Sequence, residues 1–435
     1  MRPVRAAAEI CKRRVVITGY GMITPLGRNT QETFDKASQG ISGIDHIRSF
    51  DTRGLPCGIG GEVDDEWLGG FESPAARRLA NLASRGLRLM VVATSEAAQR
   101  ARLDEIADRE AIGVSLGSHG ENSSVDEMRF LHRFYDGEAW DLKGLMQAGG
   151  YSYFSFLRRK PDVAMAILAN LFRCKGSNLS IVSACAAGAQ AIGEAMRMIR
   201  EGKADVMIAG GCEATLDFAG LVGFTLIKAL AERYRSPQKA SRPFDRKRSG
   251  FVMSEGAGAV ILEEFEHARA RGVPILGEPL GYGDSADAYR ITDTHPKGEG
   301  AVLAMRAALE DAGLTAGDVE YINAHGTSTQ QNDAIETLAI KQVFGQRAKD
   351  IPVSSNKSFL GHTIAAAGAI ECILTLIGIQ RSILLPTINY EFPDPKCDLD
   401  YVPNVARRQR HRIALSNSFG FGGQNACLCI GEPQG

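Results

Sequence analysis

The sequence has no excess of charge of either sign. Its 435 residues include 50 Lys and Arg against 51 Asp and Glu, which gives a formal net charge of -1. Proteins that hold nucleic acids or anionic membrane surfaces through a positive field usually carry a clear basic excess. The composition therefore predicts no nucleic-acid partner, and any basic docking surface has to be local.

Cysteine is scarce and unpaired in the sequence. The nine cysteines are scattered along the chain and form no C-x-x-C motif. This pattern matches neither a disulfide framework nor a structural zinc site, and it is typical of a reducing compartment. We therefore expect a cytoplasmic protein that binds no metal.

Long hydrophobic runs are also missing. The most apolar segments, 179–193 and 372–379, are interrupted by Glu194 and Arg381, short of the roughly 18 residues that a membrane-spanning helix needs. The basic N-terminal segment, residues 1–14, contains no apolar stretch of the length found in signal peptides. These features predict no membrane span and a disordered N-terminal tail.

An alternation of strand and helix patterns runs along the chain. Short β-branched runs, which indicate strands, lie at 13–21, 205–211, 259–264, 319–326 and 351–355. Patterns with helical spacing lie between and after them, at 186–200, 333–344 and 364–379. This order predicts an α/β fold.

A short internal echo suggests that the fold is duplicated. The tetrapeptide AAGA stands at 186–189 and again at 366–369, each time opening a helix that follows a short strand and a loop. Ala/Gly-rich helix starts are common, so the tetrapeptide alone carries little weight. With the matching order of elements, it predicts two structurally similar halves.

The boundary between the halves is expected near 266–279, where a charged helical pattern ends in glycine and proline. We therefore predict an N-terminal half over 13–270 and a C-terminal half over 271–432. The segment 121–160 is rich in aromatic residues, glycine and charge without a clear period. It is interpreted as a cap inserted into the first half.

Cys185 is the first candidate for chemistry. It lies in "SACAAG" (183–188), where a predicted strand gives way to a helix. A thiol reacts as the thiolate, and a helix N-terminus lowers the pKa of a cysteine through its dipole and its free N–H groups. The small neighbours would leave room for a bulky substrate. A buried cysteine that only fills space is the alternative interpretation.

Two histidines lie in glycine-flanked polar segments that follow predicted strands. These are His325, in "NAHGTSTQQND", and His362, in "SSNKSFLGHT". Either one alone could be a hydrogen-bonded structural imidazole. A cysteine with two loop histidines is the set that thioester chemistry needs, because the thiolate accepts an acyl group and the imidazoles stabilise a developing oxyanion. The three together favour catalysis.

Three further residues could support such a site. Lys357 precedes His362 by five positions and could act electrostatically or be a solvated loop lysine. Glu371 lies on an otherwise apolar helix, where a buried carboxylate needs a partner, and Lys357 is the candidate. Phe419, in the glycine-rich "SNSFGFGGQNA" (416–426), is bulky enough to gate an acyl pocket. A glycine-rich turn between core strands is the alternative there.

The chain resembles the β-ketoacyl-[acyl-carrier-protein] synthases of the elongating, type II class, which are condensing enzymes of the thiolase superfamily. The resemblance extends from about residue 13 to 432. It rests on motifs that occur in the family's order: "VVITGYGMITPLG" (15–27), "SACAAG", "ADVMIAGG" (204–211), "SRPFDRKRSGFVMSEGAGA" (241–259), "NAHGTSTQQND", "SNKSFLGHT", "AAAGAIE" (365–371) and "NSFGFGGQN" (417–425).

This resemblance implies a thiolase-like five-layered α-β-α-β-α fold with two similar halves. It also implies a decarboxylative Claisen condensation, in which malonyl-carrier protein extends a Cys185-bound acyl chain by two carbons. The backbone N–H groups of Cys185 and Phe419 would form the oxyanion hole, and Phe419 would gate the acyl channel. His325 and His362 would assist decarboxylation and stabilise the enolate.

The same resemblance assigns the supporting residues. Lys357 and Glu371 would hold the histidine loop, and Thr327 and Thr329 would bind the phosphopantetheine arm. No metal or diffusible cofactor is implied, because the carrier protein brings the phosphopantetheine.

Partners follow from the resemblance as well. The family's carrier proteins are acidic, and Arg233 and Arg235 stand where members use an arginine to contact the carrier. The basic run 407–412 is a second candidate, or simply solvated surface. We expect a homodimer, or a heterodimer with a chain-length-factor-like subunit.

The sequence departs from the family at the expected acyl pocket. His119 and Gly120 align with a Gly-Ile pair whose isoleucine closes the end of the pocket in housekeeping members, and Gln424 stands where Thr or His is common. The pocket is therefore expected to be longer or more polar than usual. The pathway stays open between fatty acid synthesis and a specialised polyketide or polyene route.

Two other functions are the alternatives. A coenzyme A-dependent thiolase usually pairs its nucleophile with one histidine and a second cysteine, whereas two motif histidines are present here. A non-catalytic chain-length-factor-like subunit typically lacks the active-site cysteine, and Cys185 is present.

Overall fold

The predicted strands assemble into two five-stranded mixed sheets. The computed structural model of the protein describes residues 13–149, 151–291 and 293–433, so most of the predicted N-terminal tail, residues 1–12, lies outside the described residues. The strands in these ranges are β1 (Val15–Ile23), β2 (Asp45–His46), β3 (Ile59–Gly60), β4 (Ile112–Gly117), β5 (Asn178–Ile181), β6 (Val206–Glu213), β7 (Gly256–Glu264), β8 (Glu278–Ala286), β9 (Tyr321–Asn323), β10 (Val353–Ser354), β11 (Ile383–Leu384), β12 (Arg407–Arg408), β13 (Ile413–Phe419) and β14 (Gln424–Gly431).

Helices connect these strands and cover the sheets. In the same ranges they are α1 (Thr30–Ser38), α2 (Pro74–Ala80), α3 (Arg85–Arg100), α4 (Val125–His132), α5 (Leu142–Ala148), α6 (Tyr153–Arg158), α7 (Pro161–Leu171), α8 (Ala187–Arg200), α9 (Phe218–Leu226), α10 (Phe265–Arg271), α11 (Glu299–Ala312), α12 (Gln330–Phe344), α13 (Lys357–Leu360) and α14 (Ala367–Arg381).

The two large sheets repeat one strand pattern. The first has the order β5-β4-β6-β7-β1 and the second the order β10-β9-β13-β14-β8. In each sheet the first three strands are parallel, and the fourth is antiparallel to both of its neighbours. Corresponding strands also follow each other in the same chain order. The predicted duplication is confirmed, and each predicted half contains one sheet.

The AAGA echo marks the centre of the molecule. The helices that it opens, α8 and α14, pack against each other and contact both sheets. They approach so closely that a Cβ on Gly188 would lie 2.7 Å from the Ala365 carbonyl oxygen, and one on Gly368 would lie 2.7 Å from the Ala189 nitrogen. Only glycine fits at this crossing, so the echo reflects helix packing.

Helices on the outer faces complete the layers. Helix α3 packs on β1, β6 and β7 of the first sheet, whereas α11 packs on β8 and β14 of the second, and α12 packs beside α11. From one side to the other, the layers are helix, sheet, helix, sheet and helix. The expected five-layered α-β-α-β-α architecture is therefore present.

The cap segment 121–160 is more regular than its sequence suggested. It contains three short helices, α4, α5 and α6, none of which has a buried residue. Several of its large apolar side chains are exposed, with Trp140 at 52% and Met146 at 81% of full accessibility. A helical period is hard to recognise in such short helices, particularly when no face is buried.

One helical segment has the length and composition of a membrane span. Residues 364–381 form 18 helical residues with a mean hydropathy of 1.5, and 89% of them are buried inside the protein. The segment is longer than the apolar stretch recognised in the sequence, because its helical residues begin at Ile364 and continue to Arg381. A helix buried to this extent is a core helix packed between the two sheets.

Candidate active site

The candidate residues lie at the carboxyl ends of parallel strands, where an α/β sheet ordinarily places its ligand site. In the first sheet, His119 follows β4 and Cys185 follows β5; in the second, His325 follows β9. Lys357 and His362 follow β10. Cys185, His325 and His362, which are far apart in sequence, meet in one cavity, and His119 lines an adjoining cavity that also contains Cys185 and His362.

Cys185 sits in a strained turn immediately before helix α8. The turn, Ala184–Ala186, is a 3-10 turn, and Ala184 adopts a left-handed φ of 49°. Such a conformation costs free energy and is retained where the surrounding structure over-determines it. The Cys185 side chain is buried, and its Sγ lies 3.0 Å from Nε2 of His362.

The pKa of Cys185 differs from the expectation that helix α8 would lower it. Burial raises the pKa to about 11, although the Lys357 ammonium and the backbone N–H of Phe421 act in the opposite direction. The physical reason is that removing a thiolate from water costs more than these favourable groups return. Cys185 therefore rests as a thiol and must lose its proton during the reaction.

His362 is held in a defined orientation beside the sulfur. Its Nδ1 accepts a hydrogen bond of 3.2 Å from the backbone N–H of Ile364. A neutral imidazole that accepts at Nδ1 carries its proton on Nε2. Burial, followed by the charges of Lys357 and His119, lowers the pKa of His362 well below its usual range. His362 thus offers a neutral Nε2–H donor next to Cys185.

His325 faces His362 across the cavity. The two ring centroids are 5.3 Å apart, and the planes are nearly perpendicular. Nδ1 of His325 is buried without a hydrogen-bond partner among the described residues. Burial and the nearby charges of Lys357 and His362 lower the pKa of His325 well below its usual range. This second neutral imidazole is available to a substrate.

Glu336 holds the His325 loop, a role that no sequence motif indicated. Its two carboxylate oxygens accept hydrogen bonds of 2.8 Å from the backbone N–H groups of His325 and Gly326. Asn417 donates to the same carboxylate over 3.2 Å. The sequence offered one sign of this role, because Glu336 is an acidic residue three positions after Asp333, on the buried face of α12.

The ligand atoms of Cys185, His325 and His362 all lie within 4.8 Å of one another. Such a set could bind a metal ion, since thiolate and imidazole are common zinc ligands. It equally suits a nucleophile with two hydrogen-bond donors. The expectation of no metal remains a prediction.

Lys357 and Glu371 form a buried ion pair beneath the histidines. Nζ lies 2.5 Å from Oε1, and both side chains are 2% exposed. Burial raises the pKa of Glu371 to about 7, while the ammonium of Lys357 opposes this shift. The pairing anticipated from the apolar surroundings of Glu371 is present, and it places a positive charge near Cys185 and both histidines.

Replacing Lys357 with methionine should destabilise the protein strongly. The change leaves Glu371 buried without its partner, and breaking a buried pair in this way typically costs roughly 3–5 kcal/mol. Denaturant unfolding measures the loss. Lys341→Met is the matched control, because the pair of Lys341 with Asp398 is partly exposed and is worth at most about 1 kcal/mol. Equal losses in the two variants would contradict a structural role for the buried pair.

Thr327 and Thr329 line the entrance to the cavity. Their hydroxyl oxygens are 3.0 Å apart, and Thr329 also caps helix α12 by accepting the N–H of Asn332. The cavity, of about 280 Å³, extends from these residues to Cys185, His325 and His362. The location suits a narrow arm that enters from the surface.

The structure changes the expectation for Phe419. The backbone N–H groups that lower the pKa of Cys185 are those of Phe421 and of Cys185 itself, and not that of Phe419. Phe419 is the last residue of β13 and pairs with Asn425 of β14, and its ring packs 5.8 Å from that of His325. Phe421 lies in the turn that follows, so its N–H is free to point at the sulfur. Phe421 is therefore a further candidate for the oxyanion hole beside Cys185, and the role expected of Phe419 remains a prediction.

Of the two residues expected in the acyl pocket, His119 lines the cavity and Gly120 does not lengthen it. Gly120 has a φ of 85°, and a Cβ there would lie 2.2 Å from the carbonyl oxygen of Arg159 in the cap. The absence of a side chain therefore adds no length to the pocket at this position. His119 does line the cavity beside Cys185, and it makes this cavity more polar.

Arg233 and Arg235 are exposed near the cavity entrance. The backbone of Arg233 contacts the hydroxyl of Ser249, and both Ser249 and Lys228 line the entrance. Neither arginine forms a salt bridge with the residues that the structure describes. In the run 407–412, by contrast, Arg407 is paired with Asp400.

Comparison with known proteins agrees with this arrangement. Residues 12–268 match the family model "Beta-ketoacyl synthase, N-terminal domain", and residues 276–391 match "Beta-ketoacyl synthase, C-terminal domain". A 3-oxoacyl-[acyl-carrier-protein] synthase 2 from Synechocystis sp. is 42% identical, over 98% of this chain and 100% of the relative.

Solved structures show the same fold. A type II PKS ketosynthase bound to the hexaketide, in complex with its acyl-carrier protein, superposes with a TM-score of 0.86 at 34% identity, over 97% of this chain and 100% of that one. The ishigamide ketosynthase/chain length factor superposes with a TM-score of 0.83 at 31% identity, over 98% of this chain and 100% of that one.

Proposed function

The chain belongs to the β-ketoacyl synthase family, and we propose that it condenses malonyl-carrier protein with an acyl chain held on Cys185, which lengthens the chain by two carbons. The observation that carries the proposal is the buried group of Cys185, His325 and His362, whose reactive atoms lie within 4.8 Å of one another. The named relatives are 3-oxoacyl-[acyl-carrier-protein] synthases.

The first step transfers the acyl chain to Cys185. The sulfur attacks the thioester carbonyl of the acyl-carrier protein, and the pantetheine sulfur leaves with the proton of the Cys185 thiol. The N–H groups of Cys185 and Phe421 stabilise the tetrahedral oxyanion. The charge of Lys357 favours the thiolate as it forms, which offsets part of the burial that raises the pKa of Cys185.

The second step removes carbon dioxide from the malonyl group. The electron pair of the breaking C–C bond passes to an enolate, whose oxygen accepts hydrogen bonds from the neutral imidazoles of His325 and His362. The enolate carbon then attacks the Cys185 thioester, and the departing thiolate takes up a proton from solvent. The pKa values of both imidazoles are low, so both rings are neutral when the enolate forms. Each neutral ring can donate a hydrogen bond from its N–H group.

The partner that delivers both acyl groups is an acyl carrier protein. Thr327 and Thr329 would contact the phosphopantetheine arm at the cavity entrance, and Arg233 and Arg235 would contact the acidic surface of the carrier. The arm belongs to the carrier, so the protein needs no diffusible cofactor. Related ketosynthases have been solved with a carrier protein or with a chain-length factor.

A dimer is the proposed assembly, with a second copy or with a chain-length-factor-like subunit. Strand β5 lies at the edge of the first sheet, and Val182, which follows it, is 58% exposed. An exposed edge with apolar side chains is a natural place for a second subunit. The expected cytoplasmic location remains a prediction.

The direct test supplies the purified protein with an acyl-carrier protein and malonyl-carrier protein. Mass spectrometry of the carrier should show a β-ketoacyl product two carbons longer than the starting chain, with release of carbon dioxide. Activity with coenzyme A esters alone would indicate a thiolase. No product with any carrier-bound chain would favour a non-catalytic subunit.

A further inference from the structure

His119 holds in the first half the place that His325 holds in the second. It lies two residues after β4, as His325 lies two residues after β9, and β4 and β9 occupy the same position in their sheets. The duplication thus brings an imidazole from each half to the same cavity region. The reaction steps above use His325 and leave His119 without a role.

Glu213 fixes the orientation of His119. Its Oε2 lies 2.7 Å from Nδ1 of the imidazole. The carboxylate is buried and also accepts the backbone N–H groups of Ala214, Thr215 and Ala365. Burial lowers the pKa of His119, but the hydrogen bond and charge of Glu213 outweigh this effect and raise it overall. Nε2, on the opposite side of the ring, is turned away from Glu213.

Two cavities meet at this imidazole. The one beside Cys185 measures about 270 Å³, and the second measures about 450 Å³. They share His119, Phe224, Ile227 and Ile364 as lining residues. An acyl chain on Cys185 that extends from the first cavity into the second therefore passes the imidazole.

The remaining walls of the cavity beside Cys185 are apolar. Among the described residues that line it, His119 is the one with a polar side chain apart from Cys185 and His362, which take part in the chemistry. Its side chain is 27% exposed, so part of the ring is open to the cavity. A saturated chain would displace water from this imidazole without replacing the hydrogen bond, which is unfavourable.

We propose that His119 is a specificity-determining residue and that the acyl chains extended by this protein carry a keto or hydroxyl oxygen, which hydrogen-bonds to the His119 imidazole. Glu213 acts as the positioning residue that keeps Nδ1 away from the chain and Nε2 toward it. The inference rests on the proposed function, because it concerns the acyl group that Cys185 holds.

The test compares acylation rates of Cys185 with matched carrier-bound chains. One chain is saturated and of medium length, and the others differ from it by a single ketone at successive positions. Wild-type protein should accept the best keto chain about tenfold faster than the saturated chain. His119→Leu should lose this preference, whereas His119→Gln, which retains an N–H donor, should keep part of it.

Acetyl-carrier protein is the control substrate, because an acetyl group has no chain to reach the second cavity. Dividing each rate by the acetyl rate of the same variant removes any effect of the substitution on the chemistry that all chains share. Equal rates for keto and saturated chains in wild type, or an unchanged preference in His119→Leu, would overturn the proposal. If wild type accepts no chain, including acetyl, the proposed function itself fails, and the specificity inference falls with it.

Discussion

Replacing Cys185 with alanine should abolish condensation while decarboxylation of malonyl-carrier protein continues. Among the described residues that line the cavity, Cys185 is the only one with a thiol, so the rate of β-ketoacyl formation should fall by ~10³-fold or more. The enolate is stabilised by His325 and His362, which the substitution leaves in place. Release of carbon dioxide from malonyl-carrier protein, without a longer product, measures this separation.

Cys174→Ala is the matched control for this variant. Cys174 is the most exposed of the eight cysteines in the described ranges, at 7%, against 3% for Cys185. Accessibility alone would therefore direct acylation or alkylation to Cys174 first. We expect Cys174→Ala to catalyse condensation at the wild-type rate and Cys185→Ala to form no acyl adduct. An equal adduct on both variants would contradict the assignment of the nucleophile.

Replacing His325 with alanine should have the reverse effect. The enolate loses one of its two imidazole donors, and removal of one such donor typically costs ~10²–10³-fold in rate. Transfer of the acyl chain to Cys185 should persist, because His362, not His325, contacts the sulfur. Intact-mass measurement of the acyl adduct and release of carbon dioxide report the two steps separately.

His411→Ala is the control for His325→Ala. His411 is equally buried, at 1%, but it packs against Tyr321 and binds the Gln409 carbonyl away from the reaction cavity. It should therefore leave both partial reactions intact. If His325→Ala slowed acylation and decarboxylation to the same extent, the division of labour between the two histidines would be wrong.

The duplication could be read from the sequence because packing imposes it locally. Helices α8 and α14 cross at Gly188 and Gly368, and a close crossing needs small residues in both helices. The same constraint produced the AAGA echo. The pairing of Lys357 with Glu371 was accessible for a similar reason, since an acidic residue on an apolar helix requires a partner.

Other features depended on tertiary geometry that spacing does not encode. Phe419 and Phe421 are both adjacent to Gly420 in the sequence. Which of their N–H groups lies near Cys185 depends on where strand β13 ends, and the sequence does not show this. The thiol pKa was misjudged because the helix contribution was visible in the sequence and the complete burial was not. Gly120 suggested extra room, whereas the cap occupies that space through Arg159.

His119 and Glu213 lie 94 positions apart in the chain, and their contact follows from strand register. Gly117 of β4 is opposite Gly211 of β6, so the residues two positions further on are also neighbours. Without the register, the sequence showed only that a histidine replaced a glycine in the pocket. The carboxylate that orients it becomes apparent in the fold.

A single-turnover chase shows whether the acyl adduct on Cys185 is an intermediate of the condensation. Wild-type protein is first loaded with a labelled acyl chain, separated from excess carrier, and then mixed with malonyl-carrier protein. We expect the adduct on Cys185 to disappear as fast as a labelled β-ketoacyl product, two carbons longer, appears on the carrier. A product that forms while the adduct remains, or an adduct lost only as free acid, would contradict this expectation.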